Sequence, residues 1–261
     1  MAQKIPIFYY HSIGGPEPET LALRDFKLHL DLLKAKSFKT ITFASLLKGD
    51  YDPEEKNAVL TFDDGLLDNY EHALPLLIEY GFIATFFVVP GFDHITRWVN
   101  PKNRKWSDIK KIGFTIPFKS MGIEQRKALI TAGMEVGSHS FTHHKLNQID
   151  PQCLKFEIAD SKKYLEDELS NPIETFCYPN GRYNTQVVNT VREAGYIGAT
   201  TTIPGYYNSG KSAFKTNRFL IENPLFFAEV LEGRGLSLPA YLRAKYHSLF
   251  TGSIRLENNS R

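Results

Sequence analysis

Two short stretches of this chain concentrate groups that do chemistry. Thr61-Phe62-Asp63-Asp64-Gly65 follows an apolar run, Ala58-Val59-Leu60, and sets two carboxylates side by side before a glycine. Adjacent carboxylates repel, and both lose hydration when buried. Such a pair is best tolerated where a metal ion or a reacting proton uses the charge. Gly137-Ser138-His139-Ser140-Phe141-Thr142-His143 adds two imidazoles four residues apart. Carboxylate with imidazole is a ligand set that suits zinc and similar divalent ions.

The elements that must position these groups alternate. Ile5–Tyr10, Ala58–Phe62, Ile83–Val89, Glu135–Ser138, Glu174–Tyr178, Ile197–Thr201 and Phe219–Glu222 read as strands. Leu21–Ser37, Asp68–Tyr80, Ile123–Ala132, Gln152–Glu168 and Thr185–Ala194 read as helices, with glycines at 81, 133 and 195 as stops. This rhythm predicts βα units around a mostly parallel sheet. In a βα barrel reactive groups gather at the C-terminal ends of strands. His11, Asp63, Asp64, His139 and Tyr178 all fall at or just after predicted strand ends, although they are far apart in sequence. The spacing of His139 and His143 predicts that both lie on one side of a helical turn. His144 is then a bystander, able to replace His143 only if that turn is not helical. The alternative is plain: Asp63-Asp64 as a turn start and the histidines as surface residues.

The two stretches resemble the first two motifs of the polysaccharide deacetylases, the carbohydrate esterase group with homology to the nodulation chitooligosaccharide deacetylase. The patterns are T-F-D-D-G, met at 61–65, and H-[ST]-x-x-H, met by His139-Ser140-Phe141-Thr142-His143. Gly81–Val88 and Ala132–His139 also look like the family's approach strands, and the similarity runs from about Ile5 to Glu222. The resemblance implies an α/β fold, a distorted (β/α) barrel of about seven parallel strands, as one domain over residues 1–261. It also implies Asp64, His139 and His143 as metal ligands with a position left open for water, zinc being first among the candidate ions. Asp63 is then the general base. The third motif, F-R-P-P-Y-G in the family, stands here as Phe176-Cys177-Tyr178-Pro179-Asn180-Gly181. Tyr178, Pro179 and Asn180 become the candidate oxyanion and substrate-binding residues, Asn180 through its backbone N–H. Cys177 occupies the arginine slot. The sequence is closer to a branch with F-A-Y-P-x-G and a later arginine, for which Arg218 in Thr216-Asn217-Arg218-Phe219-Leu220 is the match; an ordinary surface arginine is the alternative. The family's late L-x-H, source of the general acid, has no match, since Lys245 stands before His247 where leucine is expected. His11 is the acid candidate by position, against a histidine that only shapes the pocket. His29 and His72, on predicted helices, read as solvated. Cys177 reads as a small buried filler rather than a nucleophile.

Bulk properties are those of an ordinary globular protein. The chain has 261 residues, 42% hydrophobic and 23% charged, enough for one large core. A net charge of +2 gives no reason to expect nucleic acid as a partner. Cys153 and Cys177 form neither a disulfide framework nor a zinc-ribbon pattern. No run reaches membrane-spanning length, so no stable membrane insertion is expected, and no leader is read at the N-terminus. The cytoplasm is the expected location, or an exported one if a leader has been removed. Residues Asp93–Phe118 break the βα rhythm and read as an irregular insertion, either a substrate wall with Trp98 and Trp106 or a packed excursion. Ser237–Phe250 could lie on a membrane surface or pack on the barrel, and Glu257–Arg261 is a polar tail. The expected activity is metal-dependent removal of an N-acetyl group from an amino sugar, in a polysaccharide or a glycan intermediate. A deformylase or other amidohydrolase on the same fold, or a weak sugar-binding pseudoenzyme, remains open.

Overall fold

The computed structural model describes residues 4–15, 20–94, 97–99, 106–108, 119–221 and 223–237. Seven parallel strands run side by side in the order β10 (Phe219–Leu220), β1 (Ile7–Tyr10), β3 (Lys56–Phe62), β4 (Thr85–Val88), β7 (Glu135–Ser138), β8 (Thr175–Cys177) and β9 (Gly198–Thr200). β2 (Phe38–Ile41) shares an edge of β3 with β4: β2 pairs along Lys56–Val59, and β4 pairs at Thr61 and Phe62. The sheet curls into a half-barrel in a single α/β domain. Thr216 bridges Thr200 at the end of β9, while Phe219 pairs with Phe8 of β1, so one short segment touches both ends of the curl.

Strand periodicity sorts the side chains into two layers. Phe8 and Tyr10 of β1, Leu60 and Phe62 of β3, Phe86 and Val88 of β4, Val136 of β7 and Phe176 of β8 face outward into the main core. Helices α1 (Leu23–Ala35) and α3 (Leu74–Tyr80) and the strand-flanking helix α4 (Ile123–Thr131) contribute Phe26, Leu30, Leu33, Leu77 and Leu129 to it. Ile7, Val59, Phe87 and Cys177 form a second, inner cluster. The same parity puts Thr61, Asp63, Thr85, Glu135, His139 and Thr175 on the inner face. Space there is tight: a Cβ on Gly137 would lie 2.6 Å from the Phe87 ring and 2.8 Å from the Thr175 hydroxyl. At the N-terminal end of the barrel, half-buried Glu135 accepts hydrogen bonds from the Ala44 N–H and the Thr85 and Thr175 hydroxyls, which satisfy a carboxyl whose pKa desolvation pushes up.

Several elements depart from the sequence reading. β2 and α2 (Phe43–Lys48) were not foreseen, although the helix before them was read to end at Ser37, which takes a left-handed position (φ 57°). Residues read as an irregular insertion include an antiparallel strand pair, β5 (Arg97–Val99) with β6 (Trp106–Asp108). The helix read at Gln152–Glu168 is α5 (Pro151–Lys155) and α6 (Ser161–Leu169), joined by a π turn at Phe156–Asp160. α7 (Thr185–Glu193) stands as expected, whereas α8 (Pro224–Leu231), capped by Asn223 onto the Phe226 N–H, was not read although its Asn-Pro start is a helix signal. Glu222, His247 and the amphipathic stretch after 237 lie outside the described residues. Among the described residues no helix is long and apolar enough to cross a membrane.

His29 corrects another expectation. It is fully buried, stacked on Phe227 at 4.4 Å, with Nδ1 3.3 Å from the Tyr10 hydroxyl. Burial takes its pKa from the ordinary 6.5 down to about 3. The folded protein therefore keeps His29 neutral where the unfolded chain already binds a proton, and stability falls as pH drops from 6.5 towards 3. Between pH 7 and pH 5 this group alone should remove about 2 kcal/mol of stability. Urea unfolding of metal-free wild type and His29→Phe at both pH values measures it: the pH 7-to-5 loss should be smaller by about that amount in the variant. His72 is half-buried, with Nδ1 2.7 Å from the Ile13 carbonyl, rather than solvated.

Candidate active site

The site sits where β1, β3, β7 and β8 end. Asp63 follows Phe62 with inward parity, and its N–H still pairs with the Tyr10 carbonyl. Asp64 would point outward in a continuing strand. Instead it takes φ 71°, Gly65 follows at φ 66°, and the chain turns sharply enough for both carboxylates to serve one site. A Cβ on Gly65 would crowd Val88 at 3.1 Å. The same device recurs: Ser140, His143 and Asn180 also adopt positive φ, so four of the six non-glycine residues in that region among the described residues cluster at these turns. Left-handed backbone in non-glycine residues is held only where the surroundings insist on it, typically at functional sites.

His139 and His143 approach Asp64 by different routes. His139 lies just past β7 and donates Nδ1–H to the Cys177 carbonyl at 2.8 Å, because a carbonyl can only accept. Its Nε2 is thereby left with a lone pair, 3.5 Å from Asp64 Oδ1. His143 is not on a helical turn. The chain from 139 to 145 is a loop bent by Ser140 and His143, and the Ser140 hydroxyl accepts the His143 N–H at 3.0 Å. His143 Nε2 lies 3.3 Å from Asp64 Oδ1. Burial takes the His143 pKa down to about 4, despite the opposing pull of Asp64, so its ring is neutral near pH 7. His144 turns to Glu157, 3.2 Å away, and remains exposed.

This arrangement fits a divalent ion. Asp64 Oδ1 is buried without a hydrogen-bond partner, and it faces two imidazole nitrogens. One ligand atom from each residue lies within 4.8 Å of the others. A buried carboxylate oxygen with no hydrogen-bond partner is costly unless a cation joins it, and two imidazole nitrogens stand ready to complete the ligand set. Asp63, His139 and Cys177 also cluster closely, but a cation already serves that group: the guanidinium of Arg218.

Arg218 is fully buried inside the barrel. It donates to both Asp63 oxygens, at 2.7 and 2.8 Å, and to Thr61 Oγ1 at 2.9 Å, the Thr201 carbonyl at 3.0 Å and Cys177 Sγ at 3.0 Å. Its plane is flanked by the Tyr9 and Phe87 rings, with centroids 4.5 and 5.7 Å away. Burial alone would raise the Asp63 pKa, but the Arg218 charge and hydrogen bonds outweigh it and hold the carboxyl well below the usual range. Cys177 is buried, with its thiol pKa pushed up by burial, which leaves it inert.

The remaining candidates divide. His11, half-buried just past β1, is near enough that a charge on its ring would act on Asp63 and His143. Its carbonyl accepts from Asn69 Nδ2 at 2.7 Å. Asn180 is exposed at the turn after β8, following buried Pro179. Tyr178 is a correction: its ring is fully buried in the outer core, stacked on Tyr183, with its hydroxyl on the Phe214 carbonyl, so the side chain does not enter the site. The parity of β8 explains this, since Cys177 faces inward. Asp68 and Asn69 were missed. Asp68 accepts from Ser12 Oγ and the Ile13 N–H and ties the loop after β1 to the turn after β3. The Asp-Asn pair before a helix was the available signal.

The sequence model of the family described as polysaccharide deacetylase matches residues 50–199. YxkH of Bacillus subtilis (strain 168), provisionally named a polysaccharide deacetylase, is 30% identical over 218 residues, 82% of this chain and 70% of that protein. The Streptococcus pyogenes deacetylase PplD, solved in complex with acetate, superposes with a TM-score of 0.72 at 26% identity, over 90% of this chain and 99% of that one. The polysaccharide deacetylase BC0361 of Bacillus cereus shares the fold with a TM-score of 0.70 at 24% identity, over 88% and 69%. The family match spans more than half of the sequence and takes in Asp63, Asp64, both site histidines and the turn after β8, and this chain belongs to the polysaccharide deacetylase family.

Proposed function

We propose that this protein hydrolyses the N-acetyl group of an amino sugar within a glycan, with a divalent ion, zinc first, held by Asp64, His139 and His143. The observation that carries the reading is one buried, partnerless carboxylate oxygen facing two neutral-capable imidazoles, beside a second carboxylate locked by arginine. A bound ion supplies Lewis acidity, lowering the pKa of water and polarising a carbonyl. Asp63 takes the proton of the attacking water. Arg218 keeps it ionised and fixes its orientation through a two-pronged contact. The backbone N–H of Asn180 is the assigned donor to the developing oxyanion. His11 delivers a proton to the departing amine, which otherwise leaves poorly. The acetate bound to PplD, a relative of similar fold, is the chemistry this reading expects as product.

The test is acetate release from N-acetylated amino-sugar oligomers and polymers, with free amine counted in parallel, before and after chelation. Equal acetate and amine from the metal-loaded protein, lost on chelation, is the expected result. Metal bound without acetate from any such substrate would leave a sugar-binding protein instead. In the same assay His11→Ala should lose roughly 10²–10⁴-fold on N-acetyl sugars. An aryl acetate, whose leaving group needs no proton, should be spared to within about tenfold. Equal losses on both substrates would remove His11 from the acid role.

A further inference from the structure

Glu157 takes no step in the proposed hydrolysis, yet it is buried against the loop that carries His143. It lies in the π turn Phe156–Asp160, the wide helical turn between α5 and α6. Such turns recur at functional sites because one inserted residue re-aims a side chain. Its Oε2 accepts the Phe141 N–H at 3.0 Å and the Thr142 N–H at 2.8 Å. Its Oε1 accepts the Thr142 hydroxyl and lies 3.2 Å from His144 Nδ1. Its own backbone carbonyl shares the Phe141 N–H at 3.0 Å.

The bonds to Phe141 and Thr142 fall on two of the three residues between the two imidazoles. That connection is short, and Ser140 and His143 both hold left-handed backbone, at φ 64° and 61°. A loop with two such residues needs contacts from outside to keep one shape. The Gly91 N–H holds the Phe141 carbonyl at 2.8 Å, but every side-chain acceptor on the Phe141 and Thr142 amides is Glu157. A carboxylate buried this deeply is stable only when its lone pairs are filled, so the loop and the glutamate order each other.

We infer that Glu157 is a positioning residue for the metal-binding loop, fixing His143 against Asp64 and His139 and so setting the affinity of the site for its ion. This rests on the metal reading above. Groups that orient ligands in this way typically contribute 10–100-fold in metal affinity. The probe is zinc alone, measured by competition with a chromophoric chelator. Urea unfolding of each metal-free variant runs alongside, because an affinity measured on fully folded protein reports the loop rather than overall stability. Glu157→Asp keeps the charge but withdraws the oxygens by about one bond length, and should bind zinc about tenfold more weakly. Glu157→Ala, where it folds, should lose about 10–100-fold. Glu157→Gln keeps an acceptor for both amides and should return to within about threefold, and His144→Ala should match wild type. Zinc binding by folded Glu157→Asp within about twofold of wild type would overturn the inference while leaving the metal site standing. A wild-type protein that binds no zinc would remove the metal site and this role together.

Discussion

Substituting any one of Asp64, His139 and His143 should leave the purified protein without its ion and without acetate release, while the fold persists. The three residues come from two turns at the end of the barrel and meet only through their side-chain tips. In the proposed site each would contribute one of three protein ligands, and none has a neighbour placed to replace it: Asp63 is held by Arg218, and His144 faces Glu157. Lewis-acid stabilisation is worth several kcal/mol, so turnover should fall by roughly 10³-fold or more. The choice of replacement matters. Asp64 and His143 have φ of 71° and 61°, where alanine adds strain and asparagine is better tolerated. Asp64→Asn and His143→Asn therefore separate loss of a ligand from loss of the loop, and His139→Ala suffices at an ordinary strand end. Metal per chain by elemental analysis, with circular dichroism for the fold, is the measurement. A variant that keeps full occupancy does not lack a ligand.

The inner half of this site was legible because strand parity is local. Once Ala58–Phe62 is read as a strand at a barrel's centre, Asp63 faces inward, and the same logic delivers His139 from β7. What parity could not supply is the backbone that breaks it. Asp and His are only modestly enriched at positive φ, too weakly to single out Asp64 or His143, and the spacing of the two histidines fits a helical turn equally well. The loop actually formed brings them together by two left-handed bends. Long-range partners were legible only as pattern. Arg218 meets Asp63 across 155 residues, and the cysteine in the arginine slot becomes intelligible once the guanidinium is seen to occupy the space beside it. Glu157 carried no signal, since a glutamate on an amphipathic helix reads as solvated until a π turn aims it at a loop. His29 failed for a related reason: at i+3 from Phe26 and beside Leu30 it falls on the buried face, and its residue type outweighed its position in the reading.

Asp63→Asn should retain the ion and lose roughly 10²–10⁴-fold in kcat, the span expected for a general base. The amide keeps the shape but has no proton-accepting carboxylate. It also faces Arg218 with one donor group, so a buried cation loses half of its fork, and unfolding should become easier as well. Arg218 makes Asp63 a weaker base, because it holds the carboxyl well below the usual range. Its benefit must then lie in permanent ionisation and in aim. Arg218→Lys tests this: a point charge preserves ionisation but cannot engage both oxygens in one plane. It should lower kcat while metal content stays at wild-type level. If Arg218 acts through Asp63, the two changes share one pathway, and the double variant should be no slower than Asp63→Asn alone. Losses that multiply in the double variant would mean that Arg218 contributes to turnover independently of Asp63. Full activity in Arg218→Lys would mean that the fork only stabilises the barrel interior. Metal content, kcat and urea unfolding on the four proteins of this cycle distinguish the three outcomes.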